Sequence, residues 1–393
     1  MLNGKSSLPE QIELPEPRVP TATDTLLNTY NTLLTAKIDS LGTVGAALVI
    51  THNGEIIFER CFGVKEAGGT DSIDIHTVFR LASVSKTVTG VLAGILSKDN
   101  SPGLDEYVSD YLPGLGFKDS ITTADLKIRH LLSHTSGLVP HAYDNLVEAK
   151  VPYRVIMDSL YRVNISASPG ELYGYQNVMF SLYDTISALA NSSSFPDLLS
   201  ERVFQPFGMS DASAGFAPFE NNKNKAYPHR RGPKGFTVSR LNDRYYSTLP
   251  AAGINASIYD MGHFLIALST LDSSGLSSDV KKEIFSPQVR TPLRWVYFRK
   301  WDRLDSKDYG IGWRIVGYKG RTIAYHGGYV QGYRAELAYC EEDDLGIAFL
   351  TNSPNGVGSI SIPLFLDLYF GMKDQQDPQL NNSLFEDEDM NAY

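Results

Sequence analysis

Apolar residues recur at helical spacing between Thr25 and Leu41, where Leu26, Leu27, Tyr30, Leu33, Leu34 and Ile38 form one stripe before Gly42. Such a stripe predicts an amphipathic helix that stops at the glycine. The pattern then shortens. Val44 to Thr51 is the apolar run of a buried strand, His52-Asn53-Gly54 supplies an Asn-Gly turn, and Glu55 to Val64 returns as the second arm of a hairpin. Near the other end, Ile311 to Tyr318, Arg321 to Tyr325, Tyr333 to Cys340 and Leu345 to Thr351 predict consecutive antiparallel strands. Ser359 to Tyr369 then predicts a closing helix.

Between these strand-rich ends, residues 84 to 290 read as mostly helical, broken by loops such as Ser101-Pro102-Gly103. The fold class expected is α/β (α+β). One central antiparallel sheet would be built from both chain ends and flanked by helices, with a mostly helical lobe beside it. A single domain over residues 24–372 would then hold a sheet lobe (about 24–83 and 291–372) and a helical lobe (about 84–290). A site belongs where the two lobes meet. Residues 1–23, with Pro9, Pro15, Pro17 and Pro20 among polar neighbours, read as a flexible leader without the apolar core of a signal peptide. Residues 373–393, ending in the acidic run Glu386-Asp387-Glu388-Asp389, read as a disordered tail.

Composition narrows the function classes. The 393 residues are 42% hydrophobic and 20% charged, as in ordinary globular proteins, and the net charge is -10. That balance disfavours nucleic acid and anionic membranes as partners, because both select basic surfaces. No apolar run reaches the roughly 18 residues of a membrane span. Cys61 and Cys340 are either two free thiols or one disulfide between an early and a late strand, and they lack zinc-ligand spacing.

The sharpest chemical signal is Phe79-Arg80-Leu81-Ala82-Ser83-Val84-Ser85-Lys86. From Val84 the periodicity is helical, so Ser83 stands at a helix N-terminus, where free amides stabilise developing negative charge. Gly90 and Gly94 would each cost an exposed helix about 1 kcal/mol, which argues for a helix pressed against its neighbours. Ser83 and Lys86 are three apart and share one face of the first turn. A serine hydroxyl becomes a nucleophile when a base takes its proton, and a lysine serves once burial or nearby positive charge leaves it neutral. Taken alone, Ser-x-x-Lys is as well explained by a capping serine and a solvated lysine.

Two further clusters change that balance. Pro169-Gly170-Glu171-Leu172-Tyr173-Gly174-Tyr175-Gln176-Asn177 turns into a helical run from Val178 to Leu189, placing Tyr175 and Asn177 at a second helix N-terminus. Tyr175 can relay protons and Asn177 can hold a substrate amide. Tyr325-His326-Gly327-Gly328-Tyr329 ends a strand, and its two glycines permit close backbone approach.

Together these three clusters, in this order, resemble the serine β-lactamase and penicillin-binding protein superfamily, on the branch of class C β-lactamases, DD-peptidases and related esterases. The resemblance runs from about residue 24 to 370 and includes Leu131-Leu132-Ser133-His134-Thr135-Ser136-Gly137-Leu138, Pro206-Phe207-Gly208-Met209 and Ala251-Ala252-Gly253-Ile254. It implies that Ser83 attacks a carbonyl, that Lys86 and Tyr175 handle its proton, and that the amides of Ser83 and Tyr329 form the oxyanion hole. It also places Asn177, His326 and Gly328 at substrate-binding positions.

One position departs from the family pattern. Where class C β-lactamases carry Lys-Thr-Gly, this chain reads His326-Gly327-Gly328. The hydroxyl is gone, and a histidine of ordinary pKa, roughly 6.5, is mostly neutral at pH 7. The change weakens carboxylate recognition and favours the peptidase and esterase branch; Arg334 is the sequence's candidate to replace the lost charge. His130 and His134 lack the glutamate of a metalloprotease pair, and Ser136 lies in no Gly-x-Ser-x-Gly elbow. Without a Gly-x-Gly-x-x-Gly or a P-loop, no cofactor is implied. His229-Arg230-Arg231 reads as a solvated loop, and Leu138 to Val155 and Gly215 to Leu249 as loops over the cleft. The expected activity is cleavage of a β-lactam, a D-Ala-type peptide or a small ester through an acyl-Ser83 intermediate. The alternative is a penicillin-binding sensor that acylates and deacylates slowly. Either takes a small-molecule or short-peptide substrate.

Overall fold

Side-chain alternation builds the centre of the molecule. The computed structural model describes residues 21–269, 276–292, 298–302 and 304–376; the expected leader up to residue 20 and the tail from residue 377 lie outside them. Strand β1 (Gly45–His52) is buried almost throughout. Ala47 and Val49 enter one core while Ala46, Leu48 and Ile50 enter the other. A strand covered on both faces reads as a continuous apolar run, which is the pattern the sequence shows.

The hairpin continues as β2 (Glu55–Gly63), and the remaining strands of the sheet come from the C-terminal third. They are β3 (Val289–Arg290), β4 (Leu304–Tyr309), β5 (Arg314–Tyr318), β6 (Arg321–Val330), β7 (Tyr333–Cys340) and β8 (Leu345–Thr351). Among the described residues these form one eight-stranded antiparallel sheet in the order β2-β1-β8-β7-β6-β5-β4-β3. The two chain ends meet where β1 pairs with β8, from Ala46 opposite Thr351 to His52 opposite Leu345.

Helices cover both faces. On one lie α1 (Ala22–Ser40), opened by a Thr21–Asp24 capping box, and α5 (Val357–Gln376); the Tyr30 ring meets that of Phe365 with centroids 5.2 Å apart. On the other face sit α2 (Ser85–Lys98), α3 (Asn177–Asn191) and α4 (Ile258–Leu268), whose apolar residues share a core with β1, β7 and β8. The mostly helical middle also contains a three-stranded sheet, Phe79–Arg80 and Ser213–Ala214 on either side of Ile254–Ala256. Strands this short carry too little alternation to be seen in sequence.

One expectation changes and one pair of alternatives closes. His229-Arg230-Arg231 is a strand of a small hairpin rather than a loop. His229 is buried, accepts the Ala67 N–H at Nε2 (2.9 Å) and donates from Nδ1 to Asn352 O (2.9 Å). Cys61 and Cys340 are free thiols: Cys61 packs on the helical-lobe core and Cys340 inside the opposite one, so the sheet separates them.

The two helix glycines have the packing role their cost suggested. A Cβ on Gly90 would fall well inside contact distance of Ile311 O, and one on Gly312, at φ +78°, would fall equally close to Lys86 O. Helix α2 is thus seated backbone to backbone against the turn before β5. Gly90→Ala, which would favour an exposed helix by about 1 kcal/mol, should here lower unfolding stability by about 1–3 kcal/mol. Urea denaturation would show it, and an unchanged midpoint would contradict this seating.

Candidate active site

Ser83 lies in a 3₁₀ turn, Ala82–Val84, that runs directly into α2. Ala82 is buried and holds φ at +49°, a left-handed conformation that costs a non-glycine residue about 1–3 kcal/mol. The turn is held by Leu81 N–H donating to Ile254 O (3.0 Å) and Val84 N–H donating to Leu81 O (3.1 Å). Strand β6 passes against it at Gly328, where a Cβ would stand 2.8 Å from Ser83 N and 3.0 Å from Val84 N. Only a glycine lets the strand approach this closely.

Lys86, one turn on, is completely buried. Its Nζ donates to Asn177 Oδ1 (2.8 Å) and Ala251 O (2.9 Å), and lies 3.4 Å from Ser83 Oγ. Burial pushes its pKa well below that of an ordinary lysine; Asp144 opposes the shift and Arg314 adds to it. Ala251 belongs to the Ala-Ala-Gly phrase noted in the sequence, and its role is to supply that carbonyl.

Tyr175 O–H donates to Ser83 Oγ over 2.8 Å, and the Lys86 Nζ lies 4.7 Å from the centre of the tyrosine ring. Behind the ring stands His134, buried, at a centroid distance of 4.3 Å. His134 accepts the Gln176 N–H at Nδ1 (3.2 Å), and burial holds it uncharged, so a neutral ring backs Tyr175. Asn177 is oriented from both ends: its Oδ1 accepts from Lys86 and its Nδ2 donates to Asp144 Oδ2 (3.0 Å). The same Asp144 oxygen is 2.8 Å from His141 Nδ1.

The third cluster divides. Tyr329 is exposed beside Ser83 on the wall of the cavity. His326 is not on that wall: it is fully buried, its Nε2 3.1 Å from Tyr309 OH, and burial holds it well below the ordinary histidine pKa. Arg334 does not replace the lost lysine. On β7, Ala335 and Leu337 face the helical lobe, so Arg334 and Glu336 point to the opposite face. There Arg334 Nε bonds Glu336 Oε1 (2.5 Å), and its stem packs under Gly358 of α5. The cation that does approach the trio is Arg314 of β5, buried, with its guanidinium carbon 5.6 Å from the Tyr175 ring centre.

A cavity of about 640 Å³ opens at Ser83. Asn177, Tyr329, Asp144, Glu148 and Arg244 line it, so both segments expected over the cleft contribute. Chemically, the arrangement presents a hydroxyl between a phenol and a buried amine of lowered pKa, at the mouth of a space sized for a small substrate. Asp144 and Arg314 were not singled out in the sequence. An isolated aspartate in a loop and an arginine in a strand give no local sign of meeting a site.

The sequence model of the family described as Beta-lactamase matches residues 31–362. The chain is 24% identical over 362 residues to a beta-lactamase of Yersinia enterocolitica, covering 83% of this chain and 87% of the relative. It is 25% identical over 341 residues to penicillin-binding protein 4* of Bacillus subtilis, covering 79% and 68%. Its fold is similar to that of D-amino acid amidase from Ochrobactrum anthropi SV3, solved with D-phenylalanine, with a TM-score of 0.72, 21% identity and coverage of 87% and 99%.

Gly328→Ala should slow acylation of Ser83 by a fluorescent fluorophosphonate by about 10²-fold, the loss typical of a 1 Å misplacement. Gly356→Ala, where a Cβ meets nothing within 4 Å, should leave the rate unchanged. Equal rates in all three proteins would overturn the close approach of β6 to the nucleophile.

Proposed function

The chain belongs to the beta-lactamase family and is a serine hydrolase, and we propose that it cleaves a small ester or amide lacking a carboxylate beside the scissile carbonyl. The acyl group would be carried on Ser83, with Lys86 and Tyr175 moving protons.

The proton path follows from the contacts of Lys86. A neutral amine has two N–H bonds and one lone pair. Asn177 Oδ1 and Ala251 O accept the two N–H bonds, which leaves the lone pair for Ser83 O–H at 3.4 Å. As Ser83 Oγ bonds to the substrate carbon, its proton passes to Lys86. Tyr175, whose O–H already points at Oγ, gives its proton to the departing nitrogen or oxygen and is reprotonated by Lys86. Water then attacks the acyl carbon, Tyr175 and Lys86 take its proton, and Ser83 leaves as the hydroxyl. The amides of Ser83 and Tyr329 would hold the oxyanion, a contribution typically worth about 3–4 kcal/mol per donor.

The observation that carries the substrate class is the charge around the cavity. His326 is buried and uncharged, and Arg334 is bound to Glu336 across the sheet. Asp144 lines the inner wall one hydrogen bond from Asn177, with Glu148 further out. Arg244 is the cation among the lining residues, and it is exposed to solvent. A carboxylate next to the reacting carbonyl would therefore meet negative charge without a buried cation to compensate.

The test compares kcat/KM for p-nitrophenyl butyrate, D-phenylalanine amide and a chromogenic cephalosporin, with Ser83→Ala as control and intact mass followed throughout. One uncharged-acid substrate should exceed the cephalosporin by at least about 10²-fold, roughly 3 kcal/mol of discrimination, with all turnover lost in Ser83→Ala. Faster cephalosporin turnover would overturn the substrate class. A stable penicillin adduct without turnover would favour the slow-deacylating reading.

A further inference from the structure

We infer that Arg314 is a positioning residue of the reaction: its buried guanidinium is the fixed positive charge against which Tyr175 and Lys86 exchange the Ser83 proton. This rests on the reading of those three residues given above.

Arg314 begins β5 and is 4% exposed. Its guanidinium carbon lies 5.6 Å from the Tyr175 ring centre and 5.7 Å from that of Tyr309, and Nη1 donates to Tyr173 OH (3.3 Å). It therefore sits in an aromatic wall immediately behind the phenol that bonds Ser83. A guanidinium suits this place. It keeps its proton at any working pH, is weakly hydrated and stacks on aromatic faces. A lysine buried there would have its charged form disfavoured, as burial does to Lys86.

The groups facing Lys86 and Tyr175 from each packed element leave Arg314 with that role. From the loop after Leu132 comes His134, from β6 comes His326, and both are held uncharged, burial being the first cause and Arg314 a further one. Tyr173 and Tyr309 contribute aromatic faces, Asn177 carries no charge, and His141, its ring centre 5.5 Å from that of Tyr175, is held 2.8 Å from Asp144 Oδ2. From the short helix Asp144–Glu148 comes Asp144, the negative group acting on Lys86. Glu336, within Arg314's field, is already bound by Arg334 and by Tyr325. Burial is thus the main influence on the amine, with the Asp144 carboxylate opposing it and the fixed Arg314 cation adding to it.

The sign is definite. A cation near Lys86 disfavours its charged form and favours the phenolate of Tyr175, so it lowers the pH at which the pair can accept the serine proton. Arg314→Gln should move the acid limb of the kcat/KM–pH profile for p-nitrophenyl butyrate to higher pH by about one unit. At neutral pH the loss would be about 10-fold, recovering toward wild type in alkaline buffer. Asp144→Asn should move the same limb to lower pH. Thermal unfolding of each variant separates folding defects from the shift. Should Arg314→Gln fail to fold, Asp144→Asn still decides, because a limb that stays or moves upward in that variant contradicts the electrostatic account. A uniform loss at every pH in Arg314→Gln, with the limb unmoved, would mean a packing role and overturn the inference. Fluorophosphonate labelling of wild type but not Ser83→Ala is run alongside. Failure of that control would refute the site reading itself, whereas an unmoved limb with labelling intact would refute only the role of Arg314.

Discussion

The complete burial of the Lys86 amine is the constraint on which the rest of the site depends. Removing an ammonium from water costs several kcal/mol, so a buried lysine is cheapest when it gives up its proton. In the proposed mechanism that change lets an ordinary cation act as a base. The burial is collective: Lys86 comes from α2, Asn177 from the start of α3, and Ala251 from the segment leading to the short strand Ile254–Ala256. No two of these elements are neighbours in sequence. The chemistry therefore exists only once the helical lobe has closed on the sheet, and the hydrophobic core that joins α2, α3 and β1 is what closes it.

A second constraint sets position rather than charge. Three backbone-to-backbone approaches, Gly90 on Ile311, Gly312 on Lys86 and Gly328 on the Ser83 turn, fix α2 between β5 and β6 with no side chain to adjust the spacing. Close-packed contacts of this kind transmit small shifts rather than absorbing them. They also give Ala82 its unfavourable φ something to rest on: the hydrogen bond of Leu81 to Ile254 and the pressure of Gly328 hold the strained turn in place. The strain is local, while what offsets it is spread over the sheet.

Much of this was legible in the sequence, and what was missed has a common cause. The first helix, the Asn-Gly hairpin and the last four strands announced themselves by period, because each is long enough for its own burial pattern to repeat. Ser83, Lys86, Tyr175 and Asn177 were legible because each stands at a helix start, a feature that spacing alone reveals. Arg314 and Asp144 act across elements, and nothing near either residue in the chain marks that meeting. Arg334 was misjudged for a reason that strand geometry explains: two residues from Glu336 on β7, it shares that residue's face and not the face turned to Ser83. His326 shows the converse. It holds the motif position, yet its ring turns to Tyr309 inside the protein rather than to the cavity.

Arg314 and Asp144 also divide the charge of the site in space. The arginine acts from within the protein, behind the phenol, and does not line the cavity, whereas Asp144 and Glu148 do. A fixed cation in that place favours loss of the serine proton without offering an anchor to an anionic ligand. In the proposed function the carboxylates on the wall would meet the substrate instead and select against negative charge close to Ser83. Reactivity and selectivity would then be set by different residues on different elements. In a motif that placed its cation inside the cavity, one side chain would have to serve both, and neither could change without the other. Here the neutral, buried His326 is what separates them. By adding no buried cation to the wall, it would leave activation to β5 and recognition to the short helix Asp144–Glu148.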